Sequence, residues 1–229
     1  MNARQLGVVF ALLTGLGVSA GASAVTLGQK DTFEDGTTGN WVVGLLGASH
    51  PAPPVNVSTG GPTGVDDNYL LLSALGSSGA GNRLSVINLS QWTGDYLAAG
   101  VTAIVMDLNN LGPADLSLRL LFADPSGGPP TNLAFSTQAV VVPAGSGWTS
   151  VVFPIASGDL TAGSGTVAAA LMNTTEMRLF HSPTAVFPGP AVIASLGVDN
   201  VQAVPAPASL VLLGSALGSL GYSRRRRHA

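Results

Sequence analysis

The chain has 229 residues, of which 30 are glycine and 15 are proline, and only 9% carry a charge. It has no cysteine, which excludes disulfides, thiol catalysis and zinc sites built on cysteine ligands. The formal charge is −3, but four of the nine basic residues are Arg224, Arg225, Arg226 and Arg227, so the rest of the chain is strongly acidic and unsuited to nucleic acid.

The first 24 residues predict a cleaved export signal. Arg4 lies in a short positive start, residues 6–18 form an apolar run, and Ala22-Ser23-Ala24 supplies the small residues of a cleavage site. We expect the mature chain to begin near Val25. A first transmembrane helix is the alternative, although the run is short and interrupted by glycine.

Residues 25–203 predict a single domain of β-strands. Apolar and polar residues alternate in short segments that are separated by clusters of Gly, Pro, Asn and Asp. No long amphipathic helix is evident, so we expect an all-β fold, a single antiparallel β-sandwich of the jelly-roll type. Long loops are expected at 50–66, 123–132 and 182–190. The expected strands are 31–35, 41–43, 69–74, 83–89, 101–109, 116–123, 133–142, 148–155, 166–172, 177–181 and 192–203.

Two ends of this domain resemble the jelly rolls of carbohydrate-binding modules. The segment Thr32-Phe33-Glu34-Asp35-Gly36, followed by Trp41, is similar to their opening strand. Leu196-Gly197-Val198-Asp199-Asn200-Val201 is similar to their closing strand. The resemblance implies a glycan ligand and a structural calcium ion shared by carboxylates of the first and last strands.

The acidic residues of these strands suit that metal. Ca²⁺ takes about six to eight oxygen ligands and accepts carboxylates together with carbonyls. Glu34, Asp35 and Asp199 are the candidate ligands, because the strands that carry them often pair in sandwiches. Asp66-Asp67-Asn68 is a second candidate cluster. The alternative is that these are solvated acids of Asx turns.

Two groups of residues are candidates for sugar binding. Trp92 and Tyr96 flank Asp95 in a turn-like loop, where their rings could stack on a sugar, although core packing is the commoner fate of such rings. Trp41 and Trp148 are expected to be packed. Alternation along three strands also directs polar side chains away from the core, and these would form one stripe if the strands were neighbours. They are Asp107, Asn109, Arg119 and Arg178, for which a surface salt-bridge ladder is the alternative.

No catalytic motif is present. Residues 25–203 contain no Gly-x-Ser-x-Gly, no His-Glu-x-x-His and no P-loop. A glycosidase needs two carboxylates at a defined separation, which a count of acids does not establish. We therefore predict that the domain is not an enzyme.

The C-terminus predicts a membrane sorting segment at 204–229. After Val204, Pro205, Ala206 and Pro207, an apolar stretch covers 210–222 and ends at the four arginines. Residues 208–223 would form a helix of roughly 24 Å at about 1.5 Å per residue. That is shorter than the ~30 Å hydrocarbon core, but arginine side chains can extend to the headgroups. The arginines would stay on the cytoplasmic side, with the domain outside. A buried core helix is the alternative.

This segment resembles the sorting signal of PEP-CTERM proteins. These are exported proteins of Gram-negative bacteria that make extracellular polysaccharide, and exosortase, a transpeptidase-like membrane protease, recognises their motif, helix and arginine cluster. The resemblance implies an exosortase-like partner, a transient anchor in the inner membrane and a final location at the cell surface or outside it. The Pro-Glu-Pro of the family is Pro205-Ala206-Pro207 here, so alanine replaces the glutamate.

Three functions are compatible with these observations. The first is a non-catalytic module that binds a glycan or associates with a polysaccharide matrix. The second is a purely structural surface or matrix protein without a ligand pocket. The third, which the missing motifs disfavour, is a polysaccharide-active enzyme.

Overall fold

The computed structural model describes residues 24–44, 50–125 and 128–205. The predicted signal peptide before Ala24 and the predicted sorting segment after Pro205 lie outside the described residues. Within the described ranges, no helix is long and apolar enough to cross a bilayer. Val204, which we assigned to the sorting segment, is the last residue of a strand, and its carbonyl accepts a hydrogen bond from the Thr102 N–H at 3.0 Å.

The described part of the chain contains 13 strands and one short helix. The strands form two sheets. The first sheet consists of β1 (Lys30–Asp31), β3 (Val55–Val57), β4 (Tyr69–Leu75), β6 (Ala103–Asn110), β10 (Trp148–Pro154) and β13 (Ile193–Val204). The second consists of β2 (Trp41–Val42), β5 (Ser85–Asn88), β7 (Leu116–Ala123), β8 (Leu133–Ser136), β9 (Val140–Val142), β11 (Leu160–Ser164) and β12 (Glu176–His181). The helix α1 covers Val167–Met172.

All neighbouring strands of the two sheets are antiparallel. The order in the first sheet is β10-β6-β13-β4-β3, and β1 pairs with the second half of β13. The order in the second sheet is β11-β8-β7-β12-β5-β2, and β9 pairs with the first half of β7. The all-β prediction is confirmed, and the two antiparallel sheets form the expected sandwich.

The core lies between the sheets and follows the predicted alternation. Every second residue of β6 and of β7 is fully buried, so both sheets contribute apolar side chains to the core and remove them from water. Aromatic rings fill the space between the layers, and Tyr96 packs edge-on against Phe122 with ring centroids 4.9 Å apart. The alternating core residues of these two strands are Ile104, Met106, Leu108, Leu116, Leu118, Leu120 and Phe122.

The structure differs from the predicted elements in several places. The predicted strand 31–35 is reduced to β1, so Glu34 and Asp35 lie in the turn after it, and 133–142 forms the two strands β8 and β9. The predicted strand 166–172 is instead helix α1 (Val167–Met172), because Ala, Leu and Met favour a helix and the Thr166 side chain caps it by accepting from the Ala169 N–H at 3.1 Å. The predicted loop 50–66 contains the short strand β3. Strand β11 was not predicted, because its sequence LTAGS has too few large apolar residues to show alternation.

The first and last strands pair, as expected. Lys30 lies opposite Gln202 in the ladder, and the Gly28 N–H donates to the Ala203 carbonyl at 2.9 Å. The ladder between β13 and β6 has an irregularity between Asp199 and Gln202, where Asn200 adopts a positive φ of 53°. This distortion changes the direction of the side chains that follow Asp199.

Candidate functional site

The four polar residues predicted to form one stripe lie on two different sheets. Asp107 and Asn109 belong to β6 in the first sheet, whereas Arg119 and Arg178 belong to β7 and β12 in the second. The prediction of a single stripe is wrong, because the chain crosses from one sheet to the other between β6 and β7. The outward side chains of β3, β4, β6, β10 and β13 form what we call the first outer face, and those of β5, β7, β8 and β12 form the second outer face.

The loop predicted to stack on sugar faces the core. Trp92 and Tyr96 are both 0% exposed. The Trp92 Nε1–H donates to Asp31 Oδ2 at 2.7 Å, and the Tyr96 hydroxyl donates to the Trp92 carbonyl at 2.8 Å. Burial, and then the nearby charge of Asp31, raise the pKa of Tyr96 well above its usual value. Both rings are core residues, so the prediction that they bind sugar is wrong.

Arg119 is also buried, although it points away from the core between the sheets. Only 3% of the residue is exposed, and burial lowers the pKa of its guanidinium. Its nitrogens donate to four backbone carbonyls, so the guanidinium stabilises the fold. The prediction that Arg119 contacts a ligand is therefore wrong. The acceptors are Ser182 at 2.9 Å, Ser136 at 2.7 Å, Thr137 at 2.7 Å and Pro183 at 3.1 Å.

Two of these bonds, to the carbonyls of Ser182 and Pro183, fix the start of residues 182–190, which we call the strap and which crosses part of the second outer face. Phe187 of the strap packs edge-on against Phe180 of β12, with ring centroids 5.3 Å apart and planes at 89°. The strap thereby covers a small apolar cluster on this face. The cluster consists of Leu121, Ala123, Phe135 and Phe180.

A pocket of about 500 Å³ lies on the second outer face. Its volume lies in the range of small-ligand sites, which extends from about 300 to 1,000 Å³. Its lining combines apolar side chains with one acid, one base and one hydroxyl. The lining residues are Gly44, Ile87, Leu89, Pro125, Thr175, Glu176 and Arg178.

Arg178 is held in place from three sides at this pocket. Its Nη2 and Nε donate to the same oxygen, Glu176 Oε1, at 2.6 and 2.8 Å. Its Nη1 donates to Ser85 Oγ at 3.0 Å, and its Cζ atom lies 4.9 Å from the centroid of the Phe187 ring. The Arg178 and Glu176 side chains remain 17% and 13% exposed, so both can contact a molecule in the pocket. Of the six predicted ligand-binding residues, Arg178 is the one that lies at this pocket.

The first outer face carries an aromatic pair that we did not predict as a site. Tyr69 of β4 and Trp148 of β10 meet edge-to-face, with ring centroids 5.3 Å apart and planes at 78°. Both rings lie over Gly197 of β13, and the Trp148 Nε1–H donates to the Gly60 carbonyl at 2.9 Å. The signal was available in the sequence, because alternation with the buried residues Val151 and Phe153 places Trp148 on the outer side of β10.

Acidic residues gather near the same face, around Asp199. Asp199 is 1% exposed, and its Oδ1 atom has no hydrogen-bond partner among the residues that the structure describes. Burial raises its pKa to about 7, and the negative charges of Asp67, Asp107 and Glu34 act in the same direction. Asp107 lies opposite Asp199 in the ladder and accepts a hydrogen bond from Asn200 Nδ2 at 2.8 Å.

The predicted calcium ligands are only partly brought together. Glu34 Oε1 accepts from the Asn68 N–H at 3.0 Å, so the two predicted clusters, at Glu34 and at Asn68, meet in one region. Asp35, by contrast, is exposed and accepts from Thr37, whose bonds lower its pKa. Among the described residues, no three acidic or histidine side chains approach as a metal site requires. The unpartnered oxygen of Asp199 is the feature that suits a cation, and calcium binding stays a prediction.

No protein-family model matches the sequence, and no curated protein matches it. Among solved structures, a family 11 carbohydrate-binding module from Clostridium thermocellum, in complex with a β-1,3-1,4-mixed-linked tetrasaccharide, aligns with a TM-score of 0.50 and 15% identity. The alignment covers 79% of this chain and 98% of that module. The solution structure of CtCBM11 aligns with a TM-score of 0.51 and 16% identity, over 81% of this chain and 99% of the module.

An exo-β-agarase aligns with a TM-score of 0.54 and 13% identity, over 80% of this chain and 26% of the enzyme. The chain therefore spans about a quarter of the length of that enzyme, whereas it corresponds to nearly the whole of the binding modules. At these identities the likeness concerns the fold. The body of the chain resembles the jelly roll of the family 11 carbohydrate-binding modules.

Proposed function

We propose that the domain is a non-catalytic glycan-binding module and that the pocket on the second outer face is its binding site. The observation that carries the proposal is Arg178, whose guanidinium is fixed by Glu176, Ser85 and Phe187 at the wall of this pocket. A side chain that is ordered before the ligand arrives loses little conformational entropy when it binds.

The pocket offers the two kinds of contact that a sugar ring needs. The ring has C–H groups on its faces, which pack against apolar side chains such as Leu89 and Pro125. It has hydroxyls around its edge, which act as donors and acceptors. Within the described part of the chain, Glu176 Oε2 makes no hydrogen bond, so it can accept one from a hydroxyl, and the Arg178 nitrogens can donate.

The comparisons support a glycan as the ligand class. The fold extends over almost the entire length of a module that was solved with a β-1,3-1,4-mixed-linked tetrasaccharide. The alignment with the exo-β-agarase covers about a quarter of the enzyme and so gives no support for a catalytic role of this chain. We therefore prefer a binding module to a polysaccharide-active enzyme.

The proposal includes export and membrane sorting, which rest on the two ends of the sequence. The predicted signal peptide would direct the chain across the inner membrane, and residues 204–229 would anchor it until an exosortase-like protease releases it. Mass spectrometry of the protein from the cell surface and the medium tests this. We expect a chain that begins near Val25 and has lost the arginines, whereas an intact chain in the cytosol would contradict export.

Isothermal titration calorimetry with the β-1,3-1,4-linked tetrasaccharide, and affinity electrophoresis in gels that contain mixed-linkage glucan or agarose, test the glycan site. We expect retention in at least one neutral polysaccharide, and a loss of at least tenfold in affinity at this site in Arg178→Ala. Lys30→Ala is the matched control, because it removes one positive charge from the exposed edge of the other sheet. Retention in no polysaccharide would favour a structural role in a surface matrix.

A further inference from the structure

The first outer face presents fixed aromatic rings to solvent. Trp148 is half-buried, and its ring is held by the bond from Nε1 to the Gly60 carbonyl and by its edge-to-face contact with Tyr69. A Cβ atom on Gly197 would approach Trp148 Cη2 to 2.8 Å and Tyr69 Cδ2 to 3.3 Å, so the missing side chain makes room for both rings. The other two tryptophans, Trp41 and Trp92, are 2% and 0% exposed.

Hydrogen-bonding side chains lie beside the rings in the same rows of the sheet. Asn109 is the ladder partner of both Trp148 and Gly197, and Asp107 is the partner of the exposed Ser150. Amide, carboxylate and hydroxyl groups next to an aromatic surface are the combination that fixes the orientation of a sugar ring.

Exposed aliphatic side chains extend this surface on either side of the rings. Isolated exposed apolar residues are ordinary, but several on one sheet face beside a tryptophan indicate a binding surface. Four of them occupy outward positions on β3, β4, β10 and β13, and the fifth directly follows the end of β6. They are Val55, Leu75, Leu111, Val152 and Ile193, and each is more than half exposed.

The charges near this face select among possible occupants. The negative charges of Glu34, Asp67 and Asp107 all act on Asp199, and the positive charge of Lys30 acts on Asp67. A polyanionic glycan or nucleic acid would be repelled. A symmetric contact with a second copy of the chain would place the same acidic residues opposite each other, which is also unfavourable. A neutral polysaccharide carries no charge and can use both the rings and the polar groups.

We propose that the first outer face, through Tyr69 and Trp148, is a second binding surface for neutral polysaccharide, so that the domain cross-links two polysaccharide chains. This rests on the glycan site proposed for the second outer face. The two sheets pack face to face, about 10 Å apart, so their outer faces point in opposite directions. A segment of polymer bound on one face cannot continue directly onto the other, and the domain therefore joins separate segments.

The test uses the purified full-length chain, the β-1,3-1,4-linked tetrasaccharide and soluble mixed-linkage glucan. We expect two sites per chain by calorimetry, falling to one in Trp148→Ala and to one in Arg178→Ala. Light scattering should show that the wild-type chain aggregates the glucan and that both variants bind it without aggregating it. One site in the wild-type chain, or cross-linking that persists in Trp148→Ala, would overturn the proposal. If the wild-type chain binds neither probe, the glycan-binding function itself fails.

A second measurement does not depend on how Trp148→Ala folds. Trp148 is the tryptophan that acrylamide can reach, since Trp41 and Trp92 are buried. In Arg178→Ala, where the first outer face is the remaining site, the tetrasaccharide should protect Trp148 from quenching by at least twofold. Binding in that variant with unchanged quenching would place the ligand elsewhere and overturn the proposal.

Discussion

Trp148, on the edge strand β10, extends across the neighbouring strand β6 and lies over the backbone of Gly197 on β13. Position 197 requires glycine because the Trp148 ring approaches the backbone closely there. The backbone conformation does not require it, since the φ of Gly197 is not positive. The contact brings Trp148 to Tyr69 of β4, so that one glycine allows rings from two separate strands to form a single surface.

Gly197→Ala should disturb this surface directly. The added Cβ atom would lie 2.8 Å from Trp148 Cη2, which forces the ring to move. We expect the free energy of unfolding to decrease by about 1–3 kcal/mol, as is typical of overpacking. The fluorescence emission maximum of Trp148 should shift to longer wavelength. Fluorescence and urea denaturation measure both effects. Gly158→Ala is the matched control, because its Cβ would meet open space, and an equal loss in the two variants would contradict the assignment.

Asp31 should be a main determinant of stability. Its Oδ2 atom accepts from Trp92 Nε1 at 2.7 Å, from Trp41 Nε1 at 2.9 Å and from Gln91 Nε2 at 3.0 Å. Asp31→Ala leaves two indole N–H groups in the core without an acceptor, at a cost of about 2–5 kcal/mol in the free energy of unfolding. Chemical denaturation measures the loss. In the control Asp115→Ala, an exposed acid that accepts one backbone bond, the change should stay below about 1.5 kcal/mol.

The contribution of His181 to the free energy of unfolding should decrease in mild acid. Burial lowers the pKa of His181 from its usual 6.5, and its Nδ1 atom accepts a hydrogen bond from the Ser117 N–H at 3.1 Å, which requires a neutral ring. The unfolded chain gains a proton near pH 6.5 that the folded chain does not, so this contribution is present above pH 6.5 and is lost below it. Asp199 acts in the opposite direction over the same range, because its folded pKa of about 7 lies above its usual 3.8 and the folded chain gains that proton first. We therefore expect the change in Tm from about pH 7.5 to 5 to be more favourable to the folded state in His181→Asn than in the wild type. An identical change in both proteins would contradict the prediction.

Calcium binding can be decided by thermal unfolding with calcium or with a chelator. A ligand that binds only the folded state at about 100 times its dissociation constant adds about 2.7 kcal/mol. We expect calcium to raise the Tm of the wild-type chain and to have no effect on Asp199→Asn, because a neutral amide then replaces the carboxylate that would bind the cation. Asp35→Asn should respond like the wild type, since Asp35 is bound to Thr37 in an exposed turn. A wild-type Tm that is the same in chelator and in calcium would exclude the site.

The alternation of apolar residues was sufficient to predict strands β6, β7 and β12 and the side of each that faces the core. Leu116 to Phe122 and Ile104 to Leu108 behave as predicted, because burial of every second residue is a local property of a pleated strand. Helix α1 was missed for a related reason, since small residues such as Ala168 and Ala170 give little contrast between the two sides.

The sequence by itself determined the all-β class and the acidic character of the body, because the composition and the positions of apolar residues are enough for these features. The pairing of the first and last strands was expected only from what such strands commonly do in sandwiches. Tertiary structure decided which strands share a sheet, and therefore that Asp107 and Arg178 lie on opposite faces. It also decided that Trp92 is buried while Trp148 meets Tyr69 at the surface, since the depth of a ring depends on contacts with residues far away in the chain.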